Sequence, residues 1–402
     1  MKILFLAPFG IRPKGTVLAR MIPLAEELQA LGHEVVIVAP PYTNPEDSGR
    51  TETVRGVRLR NVLLGPRHKA LAVPVLAWRM LRAALAEKPD LVHLFKPKGY
   101  GGVAAMLLVA LQQIGVRLPP LFLDTDDWEG EGGMNELHPY SVAEKRFYRF
   151  QEQWLLTHAV GVTVASRGLE ELAAGAGVSP ERLLYLPNCV GQALPAKGEA
   201  LRKRVGISPD EPVVLLYTRF FEFSQEKLHY LFAEIFKEVP QVRFLVVGKG
   251  RRGEDDALAR VAEESGFRDA LCIVGWVEPA EIPEYLAAGD VAVYPFADTL
   301  WNRTKCPAKL TELLMAEKAV VADRVGQLAE YIVDGRSGIL CDPDDWQEMV
   351  RRVVELLRAP ERRANLGSVA RRHLQYNFSW KTAASRLESF YRQGGKAPGR
   401  AT

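Results

Sequence analysis

The sequence has no long uninterrupted apolar run. None of its hydrophobic stretches reaches the roughly 18 residues that a membrane-spanning helix needs. The apolar start, Met1 to Phe9, is short and is followed by Arg12, Pro13 and Lys14, which is a poor match to a signal peptide. We therefore expect a cytoplasmic protein, either soluble or associated peripherally with the inner face of the membrane.

The sequence also has few cysteines and a small net charge. The four cysteines lie far apart, with no C-x-x-C pair and no histidine at metal-ligand spacing, so we expect a reducing compartment and no metal site. A formal net charge of +3 is too small to indicate nucleic-acid binding. The 402 residues, 48% hydrophobic and 25% charged, have the composition of a globular protein with room for two domains.

The first half alternates short apolar strands with helical segments. Ile3 to Pro8 reads as a buried strand, and apolar residues at helical spacing lead from there to Gly32 and a second strand, Val35 to Ala39. Further strands of this half are predicted at Leu91 to Phe95, Leu121 to Asp124, Gly161 to Ala165 and Leu183 to Leu186. This alternation predicts a parallel sheet with helices on both faces.

The alternation restarts after a polar stretch, residues 191–206. The strands of the second half are predicted at Val213 to Tyr217, Arg243 to Val247, Leu271 to Val274, Val291 to Tyr294, Ala319 to Ala322 and Gly338 to Leu340. We therefore predict an α/β protein of two Rossmann-like, doubly wound domains. Ligands of open parallel sheets bind at the carboxyl ends of the strands, so functional residues are expected there.

One helix start in the second half has the features of an anion site. Pro307 is well placed as the first helical residue, and Leu310 begins the buried stripe. The backbone N–H groups of Ala308 and Lys309 then point outward and, with the helix dipole, suit a diphosphate. Glu312 lies off the stripe, where its carboxylate can accept two hydrogen bonds from a ribose diol. An ordinary capped helix with a solvated glutamate is the alternative.

The order of motifs around this helix resembles the retaining glycosyltransferases of family 4, which have the GT-B fold. The helix and the segment after it carry the resemblance through Glu312, Ala319-Val320-Val321-Ala322, Gly326, Glu330, Asp334-Gly335, Gly338 and Asp342-Pro343. Other matches extend it over nearly the whole chain: Gly15, Pro187-Asn188-Cys189-Val190, Arg219, Val247-Gly248-Lys249-Gly250, Gly275-Trp276-Val277 and Phe378-Ser379-Trp380. The resemblance implies transfer of a sugar from a nucleoside-diphosphate sugar to an acceptor hydroxyl, with retention of anomeric configuration.

The resemblance also implies a domain organisation. Residues 1–190 are expected to form the acceptor-binding domain and residues 191–375 the donor-binding domain. The terminal segment, residues 376–402, is expected to return as a helix to the first domain, as it does in the family.

The donor implied by the resemblance is a UDP-, GDP- or ADP-sugar, with no cofactor required. The second glutamate of the family's motif matches Glu312, the ribose ligand, whereas the first falls on Thr304, where the family usually binds the donor sugar. Arg219 and Lys227 match the cations that bind the diphosphate and stabilise its departure, so both are also candidate catalytic residues. Lys227 comes after a lengthened loop, and two solvated surface cations are the alternative.

Other backbone and side-chain positions complete the predicted donor site, namely Gly15, Thr16, Gly248, Gly275, Trp276, Val277, Ala308, Lys309 and Leu310. Gly248 also begins a literal G-x-G-x-x-G sequence. The next strand ends in Gly275 and Trp276 rather than in an acid suited to a ribose hydroxyl, so a tight turn is favoured over dinucleotide binding.

Two acids of the first domain are the other candidate catalytic residues. Asp126 and Asp127 belong to a run of acids and glycines, residues 124–133, at the carboxyl end of a predicted strand. The family often has a His or Asp here, so either residue is placed to orient or deprotonate the acceptor hydroxyl. A solvated acidic loop is the alternative, and the weak D-x-D match at residues 124–126 does not favour a metal.

Lys96, Lys98, Trp128 and Glu129 are the predicted acceptor-binding residues. Lys96 and Lys98, with His93, lie at or beyond a strand end, where they are candidate contacts for an anionic acceptor group. A basic loop without a role in acceptor binding explains these residues at least as well. The acceptor itself, whether lipid, saccharide or small molecule, is left open.

A basic segment suggests a membrane contact. From Arg55 to Lys88 there are eight Lys or Arg residues against a single acid, Glu87, and the apolar stretch within it contains Trp78. Such a helix suits the surface of an anionic membrane, and it equally suits a core helix with a basic edge.

Two functional alternatives also stay open, a nucleotide-sugar epimerase and a non-catalytic nucleotide-sugar-binding protein.

Overall fold

The computed structural model describes residues 1–12, 15–66, 68–191 and 196–395. The chain divides into two compact units. Unit 1 comprises Met1–Cys189, Thr304–Cys306 and Ser379–Thr402. Unit 2 comprises Val190–Arg303 and Pro307–Phe378.

Unit 1 is built on an eight-stranded sheet with the order β3-β4-β2-β1-β5-β6-β7-β8. The strands are β1 Lys2–Leu6, β2 Glu34–Ala39, β3 Thr51–Val54, β4 Val57–Asn61, β5 Leu91–Phe95, β6 Leu121–Thr125, β7 Gly161–Val164 and β8 Leu183–Tyr185. All neighbours pair in parallel except β3 and β4. All six strands predicted in this half are present.

The β3–β4 hairpin was missing from the sequence prediction. Its two turn residues, Arg55 and Gly56, have φ angles of 50° and 81°. Positive φ at both central positions matches the twist of the flanking strands, which is the usual reason for a two-residue hairpin turn. Arg-Gly was overlooked because the strands beside it are short and strongly charged.

Five helices follow the strands of unit 1, namely α1 Ile22–Ala30, α2 Lys69–Ala86, α3 Gly99–Gln113, α4 Val142–His158 and α5 Arg167–Gly175. A π-helical turn, Val17–Met21, precedes α1. The α4 helix begins with a complete capping box, in which Ser141 and Glu144 each satisfy the other's backbone N–H group. Among the described residues, no helix is long and apolar enough to cross a membrane.

Unit 2 contains a six-stranded, all-parallel sheet with the order β11-β10-β9-β12-β13-β14. The strands are β9 Val213–Tyr217, β10 Arg243–Val247, β11 Leu271–Gly275, β12 Val291–Tyr294, β13 Ala319–Asp323 and β14 Ile339–Cys341. The helices are α6 Glu199–Arg204, α7 Gln225–Glu238, α8 Glu254–Glu264, α9 Ile282–Ala288, α10 Leu300–Thr304, α11 Ala308–Met315, α12 Leu328–Tyr331, α13 Trp346–Leu357 and α14 Pro360–Asn377. Two parallel α/β units confirm the predicted fold class.

The last helix, α15 (Trp380–Arg392), belongs to unit 1. It packs on α1, and its buried Trp380, Leu387 and Phe390 share a core with Phe122 of β6. A side chain at Gly161 would lie 2.6 Å from the Phe390 ring, so a glycine at the start of β7 makes room for the helix. Aromatic burial therefore holds the end of the described chain on the first sheet.

Candidate active site

Backbone contacts that require glycine join the carboxyl ends of β10 and β11. Gly248 donates its N–H to the carbonyl of Gly275 at 2.8 Å, and its φ is 141°. A Cβ at Gly248 would lie 2.0 Å from the carbonyl oxygen of Thr218, so a larger residue does not fit. Trp276, 66% exposed, and the half-buried Val277 come directly after Gly275. These predicted donor residues all line one edge of the second sheet.

Arg219 leaves the end of β9 on a strained turn. Phe220 has a φ of 66°, a left-handed conformation that costs a non-glycine residue on the order of 1–3 kcal/mol. Its ring is fully buried, and its N–H donates to the Thr218 hydroxyl at 2.8 Å. Because both neighbours are fixed in this way, Arg219 is held in solvent at the sheet edge.

The start of α11 is close to the prediction but differs in detail. Pro307 is the N-cap, and the helix begins at Ala308. Leu310 is fully buried and its N–H donates to the Pro307 carbonyl at 3.2 Å, which corrects its assignment to the donor site. The first turn of α11 carries the positive end of the helix dipole, so it keeps the character of an anion site.

Glu312 and Tyr217 form the centre of this cluster. The Tyr217 hydroxyl lies close enough to the Glu312 carboxylate to influence its pKa as a hydrogen-bond donor, and Lys309 Nζ lies 3.2 Å from the centroid of the Tyr217 ring. Desolvation by the surrounding protein raises the pKa of Glu312, while the Tyr217 hydrogen bond and the charges of Lys309 and Arg219 act in the opposite direction. The Glu312 side chain nevertheless reaches solvent, so a ligand can approach its carboxylate.

Two tyrosines of this site were missed by the sequence analysis. Tyr217 and Tyr294 are the last residues of β9 and β12, the two strands at the centre of the sheet. The hydroxyl of Tyr294 is buried and has no hydrogen-bond partner among the described residues, and burial raises its pKa far above the ordinary value. Their position at the carboxyl ends of neighbouring strands was the available signal.

Lys227 does not have the predicted role. It is 4% exposed, and its ammonium donates to Asp323 Oδ1 at 2.7 Å, Asp323 Oδ2 at 2.8 Å and the Pro343 carbonyl at 2.8 Å. All three N–H donors of the ammonium are therefore used inside unit 2. We correct the assignment of Lys227 as a diphosphate ligand, because it is one half of a buried ion pair.

The acid-rich loop of unit 1 begins beside a second buried pair. Arg20 Nε and one terminal nitrogen contact the two carboxylate oxygens of Asp124 at 2.8 and 2.6 Å. The same guanidinium donates to the Leu186 carbonyl at 2.8 Å and to Asn188 Oδ1 at 3.1 Å. Arg20 was missed because one arginine in an apolar helical stripe reads as solvent-exposed, yet it is only 1% exposed.

Lys96 is the partner of both candidate catalytic acids. Its Nζ lies 2.5 Å from Asp127 Oδ2 and 2.8 Å from Asp126 Oδ1, although only the first contact has hydrogen-bond geometry. Desolvation and the charges of Asp127 and Asp124 raise the pKa of Asp126 to about 6, against the effect of Lys96. The pKa of Asp127 is lowered by Lys96 despite its burial. The two adjacent acids are thus held in different protonation regimes.

Lys98 is paired with a later acid of the same loop, Glu129. Its Nζ donates to Glu129 Oε2 at 2.7 Å and to Asn135 Oδ1 at 3.1 Å. Glu129 is 1% exposed, and its backbone N–H donates to Glu152 of α4 at 3.1 Å. Burial beside Glu129 raises the pKa of Glu152 well above its ordinary value. The positive charge of Lys98 is therefore balanced by the carboxylate of Glu129.

Trp128 and His93 need correction as acceptor contacts. Trp128 is buried inside its own loop, where a Cβ at Gly130 would lie 2.7 Å from the indole. His93 lies fully buried in β5 and its Nδ1 is 2.6 Å from the Tyr391 hydroxyl of α15. Burial lowers the pKa of His93 to about 4, which keeps the ring neutral. Both side chains contribute to packing rather than to an open site.

The remaining predicted residues have mixed outcomes. Gly15 is exposed and Thr16 half-buried, directly before the π-helical turn that contains Arg20. Thr304 groups with unit 1 and is 1% exposed, and its carbonyl accepts a hydrogen bond from the Ser166 hydroxyl at 2.6 Å. The donor-binding role of the Thr304 side chain stays a prediction.

The basic segment around α2 is partly neutralised. Arg55 pairs with Glu26, and Arg58 and Arg60 pair with Glu87. The helix still exposes an apolar stripe, defined by Leu71, Pro74 and Trp78. The ion pairs weaken the argument for a membrane contact that rests on positive charge. The exposed apolar side chains strengthen it.

Known proteins resemble this chain in sequence. A family described as "Glycosyl transferase 4-like domain" matches residues 15–189, and one described as "Glycosyl transferases group 1" matches residues 211–359. D-inositol 3-phosphate glycosyltransferase 2 of Catenulispora acidiphila is 30% identical over 205 residues, which are 49% of this chain and 47% of that protein. The GDP-mannose-dependent alpha-(1-6)-phosphatidylinositol monomannoside mannosyltransferase of Mycolicibacterium smegmatis is 25% identical over 370 residues, 88% of this chain and 89% of that protein.

A solved structure resembles the chain over its whole length. The crystal structure of Anabaena HepE in complex with UDP and glucose matches with a TM-score of 0.73 at 20% identity. The match covers 98% of this chain and 100% of that chain. At this identity the likeness shows the fold, which has two parallel α/β units in both proteins.

Proposed function

The chain belongs to the group 1 glycosyltransferases with the GT-B fold, which use nucleotide sugars, and from this premise we propose that it transfers a hexosyl group with retention of configuration. The bond from the anomeric carbon to the diphosphate oxygen breaks, and a bond from that carbon to the acceptor oxygen forms. The acceptor proton leaves with a base, and the nucleoside diphosphate leaves as an anion.

The observation that carries this proposal is the Glu312 cluster. A carboxylate that is reachable from solvent, oriented by the Tyr217 hydroxyl and close to Lys309, suits the vicinal hydroxyls of a ribose. The same sheet edge contains the buried Tyr294 hydroxyl without a described partner, a group that a bound polar ligand would satisfy. A nucleotide offers both kinds of partner.

The leaving diphosphate is stabilised by one exposed cation, Arg219, and by the start of helix α11. Arg219 is exposed at the end of β9, and the first-turn amides of α11 add the positive end of a helix dipole. We leave Lys227 out of this role, because its ammonium already donates to three acceptors inside unit 2. We assign it to holding β13 against α7 instead.

The acceptor hydroxyl is activated by the acidic loop of unit 1. A pKa of about 6 makes Asp126 a base that is ionised at neutral pH yet still basic enough to accept a proton. Asp127, tied to Lys96 and ionised at lower pH, orients that base. This division of work follows from the different environments of two adjacent acids.

We also propose that α2 contacts the surface of an anionic membrane. Leu71 and Trp78 are 59% and 51% exposed on one face of the helix, and the exposed Arg82 lies one turn after Trp78. Flotation with vesicles containing anionic lipid should carry the wild-type protein upward and leave a Leu71→Ser, Trp78→Ser variant behind. A wild-type protein that stays with the soluble fraction at low salt would remove this proposal.

The reaction is tested by mass spectrometry of a donor panel. UDP-, GDP- and ADP-linked hexoses are incubated with the protein and with sugar or glycolipid acceptors, and the expected result is one nucleoside diphosphate released with one new glycoside. The anomeric proton coupling of that product, measured by NMR, reports retention. Conversion of the donor without a glycoside would indicate an epimerase, and binding without turnover a non-catalytic protein.

A further inference from the structure

Four tyrosines lie near the Lys98–Glu129 pair of unit 1, and we call this group the tyrosine pocket: Tyr42, Tyr100, Tyr140 and Tyr148. Lys98 Nζ lies 5.6 Å from the ring centroid of Tyr140 and 5.9 Å from that of Tyr148. These two rings meet edge to face with centroids 5.1 Å apart. The ammonium is therefore framed by two aromatic rings.

The other two rings complete the group. Tyr42 and Tyr100 meet edge to face at 5.4 Å, and Tyr42 remains 46% exposed. The pKa of Tyr42 is raised by burial and by its proximity to Tyr140, Tyr100, Tyr148 and Glu129, which places all of them in one neighbourhood. None of the four is fully buried, so their rings are available to a ligand that approaches Lys98.

The lysines next to the pocket carry no surplus positive charge. Lys98 is paired with Glu129, and Lys96 is paired with Asp126 and Asp127. Lys305 lies near Asp127 and lowers its pKa. Three ammonium groups thus face three carboxylates, and their formal charges cancel.

One polar atom of the cluster lacks a partner. Glu129 is 1% exposed and its Oε2 binds Lys98, whereas its Oε1 has no hydrogen bond among the described residues. Oε1 lies 4.0 Å from Lys96, beyond hydrogen-bond distance. A buried carboxylate oxygen in this state favours a neutral hydrogen-bond donor nearby and disfavours another anion.

We infer that the acceptor is an uncharged sugar unit that lies on the rings of Tyr140 and Tyr148, with its hydroxyls bound to Lys98 and Asp127, and not a phosphorylated sugar. This inference rests on the proposed function and specifies its acceptor. Sugar rings have apolar C–H faces and hydroxyl edges, which match aromatic faces flanked by paired charges.

Other acceptor chemistries fit the pocket less well. A phosphate group needs cations that are not already neutralised, whereas each lysine here has a carboxylate partner. An acyl chain needs an unbroken apolar lining, whereas every ring of the pocket carries a hydroxyl and two of the rings, Tyr140 and Tyr148, flank the charged Lys98. Two of the relatives carry a phosphorylated inositol compound in their names, so phosphorylated acceptors belong among the probes of the test.

The test measures acceptor binding to the full chain by saturation-transfer NMR titration with saturating nucleoside diphosphate. The probes are matched pairs: glucose and glucose 6-phosphate, mannose and mannose 6-phosphate, and inositol and inositol 1-phosphate. We expect at least one uncharged probe to bind about tenfold more tightly than its phosphorylated counterpart, equivalent to about 1.4 kcal/mol. Tighter binding of the phosphorylated member, or binding of none of the uncharged probes, would overturn the inference.

Variants identify the pocket. Tyr140→Leu and Tyr148→Leu should each weaken sugar binding about three- to tenfold, whereas Tyr376→Leu, at a tyrosine 85% exposed on α14 of unit 2, should not. Glu129→Gln leaves Lys98 without its carboxylate partner. The preference of the protein for uncharged over phosphorylated sugars should then become smaller or reverse. A purely structural role of Glu129 would not change this preference. Unchanged selectivity in a folded Glu129→Gln protein would contradict the charge argument.

Failure of this inference is distinguishable from failure of the proposed function. Nucleoside diphosphate binding is measured first by calorimetry, before any sugar is added. Absence of nucleotide binding refutes the proposed function. Nucleotide binding combined with a preference for phosphorylated sugars refutes only the acceptor class.

Discussion

Arg20 and Asp124 meet in a two-point ion pair whose side chains are each 1% exposed. The pair joins the π-helical turn after Gly15 to the carboxyl end of β6, from which the acidic loop starts. Thr163 also donates its hydroxyl to Asp124. A buried pair with this many hydrogen bonds fixes the geometry of the two loops that unit 1 presents at its sheet edge.

Removing one member of this pair should strongly destabilise unit 1. Arg20→Met leaves a buried carboxylate without its partner, and we expect a loss of about 3–5 kcal/mol in the free energy of unfolding, measured by urea denaturation. Arg20→Lys should recover little, because an ammonium cannot occupy the two-point geometry. Full recovery by lysine would show that the fork geometry is unimportant.

The buried position of Lys227 predicts a separation of stability from nucleotide binding. Lys227→Met should cost about 3–5 kcal/mol, because Asp323 is left buried and unpaired. The exposed Lys237→Met variant should change stability by less than about 0.5 kcal/mol. Where Lys227→Met remains folded, calorimetry should find nucleoside diphosphate affinity nearly unchanged, whereas Arg219→Met should weaken it about tenfold or more. A stable Lys227→Met protein that no longer binds nucleotide would restore the original assignment.

His93 predicts how the stability of unit 1 depends on pH. An imidazole in the unfolded chain titrates near pH 6.5, whereas burial lowers the pKa of His93 to about 4. Between these values the unfolded chain binds more protons, so the contribution is complete above pH 6.5 and is lost as pH falls towards 4. Its size is about 3 kcal/mol.

The measurement compares denaturation curves at pH 7 and pH 4.5. His93→Gln, which keeps a polar partner for Tyr391, should reduce the loss of stability on acidification by about that amount, and the exposed His68→Gln should not. An equal acid sensitivity of wild type and His93→Gln would contradict the predicted protonation of His93.

Asp126 predicts the pH dependence of transfer. As a base with a pKa of about 6, it is inactive when protonated, so the rate should rise with pH through about 6 and level off above it. Asp126→Asn should lower the rate about 100-fold or more and abolish this limb, whereas the exposed Asp344→Asn should leave the profile unchanged. A profile with the same limb in Asp126→Asn would assign the titration to another group.

The strands could be predicted because they are buried and apolar. Runs such as Val213–Tyr217 and Ala319–Asp323 are almost free of polar residues, as central parallel strands require, and their alternation with helices determines the topology. The β3–β4 hairpin was missed because its short strands carry charged residues and its turn uses Arg55 rather than the more common Asn or Asp.

The site was only partly predictable. Arg219 follows the end of β9, and Glu312 lies in α11 off the buried stripe of that helix, so the exposure of both could be predicted from the sequence pattern. The burial of Lys227 depends on Asp323, which is 96 residues away in sequence, and the burial of Arg20 depends on Asp124, 104 residues away. Local sequence gives no indication of whether a charged side chain will meet such a distant partner.

The central claim, that Glu312 binds the ribose of a nucleotide donor, is tested most directly by isothermal calorimetry with UDP, GDP and ADP. The wild-type protein should bind at least one of them, and Glu312→Ala should weaken that binding about tenfold or more while leaving the melting temperature nearly unchanged. Glu284→Ala, at an exposed glutamate of α9, should bind as the wild type does. Unchanged affinity in a folded Glu312→Ala protein would contradict the account.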